Sequence, residues 1–219
     1  ASCGSDANLH AVAEASFGQT DAVLIGCGMY VAGDKGPLQQ WSTSSFDITS
    51  GPSFIVTPAQ TLVTFTKEHV VALPYIIPLQ EHKDQEILKE IHAYEDECLH
   101  ELHIRLLLNK LNGRPTKVLF LEIMLSGNGA ELSDRVLERL GQLSRHHNFS
   151  IVVDEILTGG RCGTMLLTQQ APGSFQERGT HITMGKWLQA GLVLSSEAFK
   201  VSRNETLIHY PSRGPSTEI

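Results

Sequence analysis

Short apolar runs alternate with longer amphipathic stretches along the whole chain. Two of the runs, Val118–Leu121 and residues 151–153, are apolar without alternation, which is typical of central strands in a parallel sheet covered on both faces. The pattern therefore predicts an α/β fold with three layers, α/β/α, and a mostly parallel central sheet. The predicted strands are residues 22–26, 53–57, 61–65, 117–124, 150–157, 181–184 and 191–195.

Three segments have the spacing of amphipathic helices. The predicted helices are residues 6–17, much of 84–112, and 133–147. In the third, Val136, Leu140 and Leu143 form one apolar stripe, and most charged residues fall off it. Residues 33–52 are rich in Gly, Ser and Thr, so this segment is predicted to be a loop.

Charge and composition exclude several classes of protein. The chain has 219 residues, a formal net charge of -7 and only 17 Lys and Arg residues, so nucleic acid is not an expected partner. It contains no apolar stretch long enough to cross a bilayer and no visible signal peptide. Together with four widely spaced cysteines, read as reduced thiols, these features predict a cytoplasmic protein without a membrane partner.

The segment SIVVDEILTGGRCG places two acids at the end of a predicted strand. Asp154 and Glu155 follow the apolar run, and ligands bind at the carboxyl ends of strands in open α/β sheets. A buried carboxylate needs a cation or hydrogen-bond donors nearby, and a protonated pyridine nitrogen would be such a cation. The alternative is a strand that ends in solvent with two hydrated acids.

Two shorter segments could carry chemistry beside these acids. Lys186 follows Gly185 after a predicted strand, where a lysine could reach into a cleft and act as a nucleophile once it loses its proton. Gly4 and Ser5 precede a predicted helix, whose N-terminus is a natural phosphate site. The alternatives are a surface lysine in a turn and a simple N-cap at Ser5.

Along the chain, the helix start at Gly4 comes first, the two acids second and Lys186 third. In that order the three segments resemble the class III aminotransferases, a family of fold-type I enzymes that depend on pyridoxal 5'-phosphate (PLP). The family pattern runs from a Gly-Ser/Thr helix start, through an aromatic after a second glycine and D-E-V-x-T-G-x-G-R-x-G, to G-K. This chain has G-S-D-A-N from Gly4, G-C-G-M-Y up to Tyr30, D-E-I-L-T-G-G-R-C-G from Asp154, and M-G-K up to Lys186. The combination, rather than any one segment, carries the resemblance.

The resemblance implies roles for the matched residues. Lys186 would form the Schiff base with PLP and move the substrate proton, while Asp154 would pair with the pyridine nitrogen. Tyr30 and Ile156 would lie on opposite faces of the cofactor ring. The other residues implied to contact the cofactor are Gly4, Ser5, Asp6, Glu122 and, at the phosphate of a neighbouring subunit, Thr217.

The chain also departs from the family pattern beside the implied site. The T-G-x-G-R segment is one residue shorter at residues 158–161, and Val31 stands where the family has histidine. Family members are longer, with an N-terminal segment and a C-terminal small domain that are expected to be absent here. Residues 1–219 are therefore expected to form a PLP-binding large domain of the transferase type.

The implied activity moves an amino group between an amine or amino acid and an oxo acid or aldehyde, in a homodimer. Two alternatives remain open: an aminomutase or racemase, which would keep Lys186 and Asp154, and a non-catalytic remnant of the fold. Arg161 and Arg213 are candidates for binding a substrate carboxylate. The apolar run at residues 70–78 and the Trp187-Leu188 pair are the expected exposed surfaces for association.

Histidines on the second and third predicted helices are the candidate metal ligands. His100 and His103 share a helix face with Cys98 nearby, but H-E-L-H is one residue short of the H-E-x-x-H zinc motif. His146 and His147 end the third helix, where positive charge suits the helix dipole. No metal site is predicted.

Overall fold

The computed structural model describes residues 4–16, 22–26, 30–32, 41–42, 53–56, 62–65, 69–78, 85–125, 128–186, 188 and 190–195. The strands are β1 (Val23–Gly26), β2 (Tyr30–Ala32), β3 (Trp41–Ser42), β4 (Ser53–Val56), β5 (Leu62–Phe65), β6 (Val70–Val71), β7 (Val118–Leu121), β8 (Ser150–Asp154), β9 (Gly179–Met184) and β10 (Leu192–Ser195). The helices are α1 (Gly4–Ala15), α2 (Gln85–Leu111), α3 (Asp134–His147) and α4 (Gly173–Gln176), with a 3-10 helix at Leu167–Gln169.

Six strands form the main sheet, in the order β10-β9-β8-β7-β1-β6. Neighbouring strands are parallel except for the antiparallel pair of β9 and β10. All four residues of β7 are buried, and successive residues of a strand point to opposite faces. Both faces of the sheet are therefore covered at its centre, which confirms the predicted α/β fold with a mostly parallel sheet.

Helix α1 packs on the sheet, and α2 and α3 pack on each other. Helix α1 contacts β7, β8, β9 and β10, and it buries the small side chains of Ala7, Ala11 and Ala15, which allow it to approach the strands closely. Among the described residues, no helix combines the length and the apolar character that a membrane span requires.

A buried carboxylate joins α2 to the start of α3. Glu95 is 1% exposed and accepts hydrogen bonds from Ser133 Oγ at 2.5 Å and Arg135 Nη1 at 2.7 Å. The second guanidinium nitrogen of Arg135 donates to Asp96 at 2.6 Å. Because the buried charge has both a cation and a hydroxyl donor, this contact fixes the two helices relative to each other.

The structure differs from the predicted element boundaries in several places. The strand predicted at residues 150–157 ends at Asp154, whose side chain accepts a hydrogen bond from the backbone N–H of Ile156 and so begins a turn. The predicted loop at residues 33–52 contains β3, and α1 begins two residues earlier than predicted. Short-range bonds such as that between Asp154 and Ile156 compete with strand pairing, and the pattern of apolar residues does not reveal them.

The prediction of an exposed apolar run at residues 70–78 is largely wrong. Val71 and Leu73 belong to the hydrophobic core, because β6 pairs with β1 at the edge of the sheet. Further along, Ile76 exchanges backbone hydrogen bonds with Glu131. Only Ala72, Ile77 and Pro78 of this run are exposed.

Candidate functional site

The candidate site lies at the carboxyl ends of three neighbouring parallel strands. Glu122 follows β7, Asp154 ends β8, and Gly185 and Lys186 follow β9. The register pairs Leu121 with Val153 and Asp154 with Thr183. The strand ends are therefore level with one another, and this edge is the one at which open α/β sheets bind ligands.

Asp154 is held by donors from two elements. Its Oδ2 accepts a hydrogen bond from Asn8 Nδ2 of α1 at 2.7 Å, and its Oδ1 accepts one from the backbone N–H of Ile156 at 2.8 Å. Asn8 is fixed in turn, because its Oδ1 accepts a bond from Thr183 Oγ1 at 2.6 Å. The chain Thr183–Asn8–Asp154 is buried and sets the orientation of the carboxyl group.

The environment of Asp154 works against its ionisation. Burial raises the pKa of Asp154 to about 6, and the neighbouring charge of Glu155 acts in the same direction, whereas the bonds from Ile156, Asn8 and Thr183 lower it. A buried carboxyl of this kind favours a cationic partner, which would stabilise its charged form.

Two glycines allow the start of α1 to approach the turn after β8. A Cβ atom built on Gly4 would lie 2.7 Å from Ile156 Cγ2 and 2.8 Å from Ile156 Cδ1. A Cβ on Gly185 would lie 3.3 Å from the Cα of Gly4 and 3.2 Å from the carbonyl oxygen of Ala190. The first turn of α1, Ile156 and Gly185 are thus in direct contact, and larger residues would separate them.

Lys186 is attached to the same group of residues through its backbone. Its N–H donates to the carbonyl of Ile156 at 3.1 Å, and the next turn is closed by the N–H of Leu188, which donates to Gly185. Its side chain is exposed, so the amine is accessible from solvent.

Glu155, next to Asp154, has a structural role. It is fully buried and accepts hydrogen bonds from the backbone N–H groups of Leu167 and Thr168 at 2.7 and 2.8 Å, together with one from the Thr168 hydroxyl. The carboxylate therefore anchors the loop that returns from the D-E-I-L-T-G-G segment. The alternative of two hydrated acids at a strand end is excluded for both residues, since Asp154 is only 6% exposed.

The remaining predicted site residues are distributed around this edge. Glu122 is buried, and its backbone carbonyl accepts a hydrogen bond from the Tyr75 hydroxyl at 2.7 Å. Tyr30 begins β2, which packs against α1, and Ser5 and Asp6 lie in the first turn of α1; the side chains of these three are outside the description. The predicted residues that lie outside the described ranges are Trp187, Arg213 and Thr217; Arg161 is described and exposed.

Asn8 and Thr183 contribute to the site, although the sequence pattern does not indicate a role for either. Asn8 is 2% exposed and Thr183 is fully buried. One signal was present: Asn8 lies one helical turn after Gly4, so a helix start that approaches the strand ends brings its side chain with it.

Solved structures share the fold of this chain. The sequence matches no protein-family model and no curated protein. The structure of lysine aminotransferase from M. tuberculosis superposes with a TM-score of 0.63 at 15% identity, covering 97% of this chain and 46% of the other. A PLP-bound amine transaminase from an uncultivated Pseudomonas species gives 0.60 at 16% identity, over 92% of this chain and 44% of the other.

This chain has the aminotransferase fold. An (S)-enantioselective omega-transaminase from Thermomicrobium roseum is also similar, with a TM-score of 0.58 at 18% identity, covering 96% of this chain and 45% of that one. The predicted resemblance is thereby confirmed at the level of the fold. The chain spans less than half the length of each of these three structures.

Proposed function

We propose that this chain is the PLP-binding large domain of an aminotransferase that moves an amino group between an amine or amino acid and an oxo acid or aldehyde. The observation that carries the proposal is the convergence of four features at one sheet edge. These are the oriented, buried Asp154, the start of α1 at Gly4, the side chain of Ile156, and the Gly185-Lys186 turn.

The residues at this edge fit PLP by their chemistry. Asp154 offers a buried carboxylate to a protonated ring nitrogen, which would relieve the cost of ionising it. The first turn of α1, at Gly4–Asp6, offers backbone N–H groups and the positive end of the helix dipole to a phosphate. Ile156 offers an apolar surface to a ring, and Tyr30 is proposed to cover the opposite face.

When bound, PLP supplies an electron sink for the charge left as a bond to the substrate α-carbon breaks. The role of the chain would be to orient the cofactor and to hold and move protons. Asp154, itself positioned by Asn8, would hold the proton at the ring nitrogen, and Lys186 would carry a proton to and from the substrate carbon. Glu122 and Thr217 are proposed as further cofactor contacts, the latter across a subunit boundary.

The experiment that tests the proposal is titration of the purified chain with PLP, followed by borohydride reduction and peptide mass spectrometry. We expect a new absorbance band near the visible edge and a cofactor adduct on Lys186. K186A should lose both, whereas K89A, which removes an exposed lysine on α2, should keep both. An adduct on another lysine, or full incorporation by K186A, would exclude the proposed site.

Product analysis separates this reaction from other PLP chemistry. An aminotransferase incubated with an amino donor converts the bound cofactor to its amine form in a single half-reaction, without an acceptor. A racemase or aminomutase, which would use the same Lys186 and Asp154, returns the cofactor unchanged and alters only the amino acid.

We also propose that the working unit is a homodimer. Four exposed apolar side chains lie on one stripe of α2, at spacings of three and four residues, and they are Ile104, Leu107, Leu108 and Leu111. Leu111 is 80% exposed. A symmetric dimer would bury the same patch on both copies, and this stripe replaces the run at residues 70–78 as the candidate contact.

A further inference from the structure

Three histidines meet at the end of the contact between α2 and α3. His103 comes from α2, and His146 and His147 are the last two residues of α3. The ring centroids of His103 and His147 are 5.0 Å apart, and those of His146 and His147 are 4.7 Å apart, both edge to face. One ring nitrogen from each lies within 4.8 Å of the other two. Within the described part of the chain, no other three His, Cys, Asp or Glu side chains come this close.

The cluster contains a polar atom that the protein leaves unsatisfied. The Nε2 of His147 is buried and has no hydrogen-bond partner, and buried ring nitrogens are normally paired. The neutral ring, with a lone pair available, is the form in which histidine binds a metal.

We propose that His103, His146 and His147 form a three-histidine site for a divalent transition metal, with Zn²⁺ as the preferred ion. Ring nitrogens are borderline ligands that suit Zn²⁺, whereas Mg²⁺ and Ca²⁺ require oxygen ligands. The metal site shares no residue with the proposed PLP site, and the bound ion would link α2 to α3.

The geometry needs only a small adjustment to accept the ion. Tetrahedral zinc with bonds of about 2.0–2.1 Å places its ligand nitrogens roughly 3.4 Å apart. The present spacing is at most 4.8 Å, a difference that changes in the histidine side-chain torsions would have to close. The bonds of Glu95 to Ser133 and Arg135 hold the two helices together, so the ion would not have to bring them together itself. Three protein ligands leave a fourth position for water.

The surroundings of the cluster also favour a cation. It lies at the C-terminus of α3, where the helix dipole is negative and the last backbone carbonyls point outward. His146 is exposed and gives the ion a path from solvent. The positive charge of Lys110 acts on the cluster and opposes binding, but Lys110 is exposed and solvent screens its charge.

The test is metal titration of the full chain, purified without a polyhistidine tag and treated with a chelator. We expect calorimetry with Zn²⁺ to give one equivalent of tight binding, and Co²⁺ to give the visible spectrum of a tetrahedral site with nitrogen ligands. Zn²⁺ should also raise the unfolding temperature, since an ion that binds only the folded state stabilises it. H103A, H146A and H147A should each weaken binding at least tenfold.

Matched controls come from the same helix. His92 and His100 are exposed on α2 and lie outside the cluster, so H92A and H100A should bind Zn²⁺ as the unaltered chain does. His146 is exposed, so H146A should fold normally, which circular dichroism can verify. The proposal is overturned if H146A binds as tightly as the unaltered chain, if the chain binds no Zn²⁺, or if the Co²⁺ spectrum reports thiolate ligands.

Discussion

A single carboxyl group shows how burial and orientation prepare a residue for a ligand. Asp154 has two fixed donors, yet burial still dominates its ionisation and raises its pKa to about 6. The residue is therefore poised to respond to a cation. This is the property that the proposed function requires of it.

The first consequence at this scale is a pH dependence of stability in the cofactor-free chain. Aspartate in an unfolded chain has a pKa of about 3.9, so the folded state binds this proton more tightly. The stabilisation from protonated Asp154 is complete below about pH 4 and is lost as the pH rises through about 6. The loss is on the order of 3 kcal/mol in the free energy of unfolding.

Urea unfolding of the unaltered chain and of D154N, over the same pH range, isolates this contribution from those of other carboxyls. The free energy of unfolding of the unaltered chain should fall relative to that of D154N as the pH rises from about 4 through about 6. Bound PLP should reduce that change, because a cationic partner lowers the pKa of the carboxyl. If the free energies of unfolding of the two proteins vary with pH in the same way, the pKa of Asp154 is not raised. That conclusion would hold whether or not PLP binds.

Sequence reasoning could predict some of these residues and not others. Asp154, Gly185 and Lys186 follow apolar runs that form neighbouring parallel strands, so their convergence follows from strand order alone. Asn8 bonds to a residue 146 positions away, and such pairs depend on how α1 lies across the sheet. The histidine cluster is equally hidden, because His103 and His146 meet only through the packing of α2 on α3.

At the scale of elements, the position of the first turn of α1 depends on Gly4, which has no side chain. Gly4 brings the first turn against Ile156, whose β-branched side chain has few alternative rotamers. G4A should destabilise the fold by about 1–3 kcal/mol through overpacking. The same change should weaken PLP binding, because the helix start would move away from the strand ends.

The matched control is G173A, at the start of α4, where an added Cβ would meet nothing within 4 Å. Its free energy of unfolding should change by less than about 0.5 kcal/mol. In an I156A background, which removes both the Cγ2 and the Cδ1 contact, G4A should cost much less than it does in the unaltered chain. An equal cost of G4A in the two backgrounds would show that the clash is not the cause.

Element prediction succeeded best where the apolar pattern was unbroken. The runs that became β7 and β8 are buried on both faces, and α3 keeps its predicted stripe with Val136 and Leu140 buried. It failed at residues 70–78, because an apolar run has the same pattern whether it is exposed or pairs at a sheet edge.

For the whole molecule, the exposed stripe of α2 predicts self-association. L108K places a charge at the centre of the stripe, so it should weaken the dimer at least about tenfold, or 1.4 kcal/mol. Sedimentation or light scattering over a range of concentrations measures this. M165K, which alters a residue that is 54% exposed away from the stripe, should associate as the unaltered chain does. Equal effects of the two variants, or a chain that is monomeric throughout, would contradict the proposed contact.

The bonds that tie Asn8 to Asp154 and to Thr183 also have a consequence for biosynthesis, since they span 146 and 175 residues. A ribosome adds about 5–20 residues per second, so α1 is made roughly 10–35 seconds before Thr183 exists. A helix of 12 residues is marginally stable alone. We therefore expect α1 to stay undocked, with its buried alanine side chains exposed, until β9 has been made, and to be among the last elements to dock.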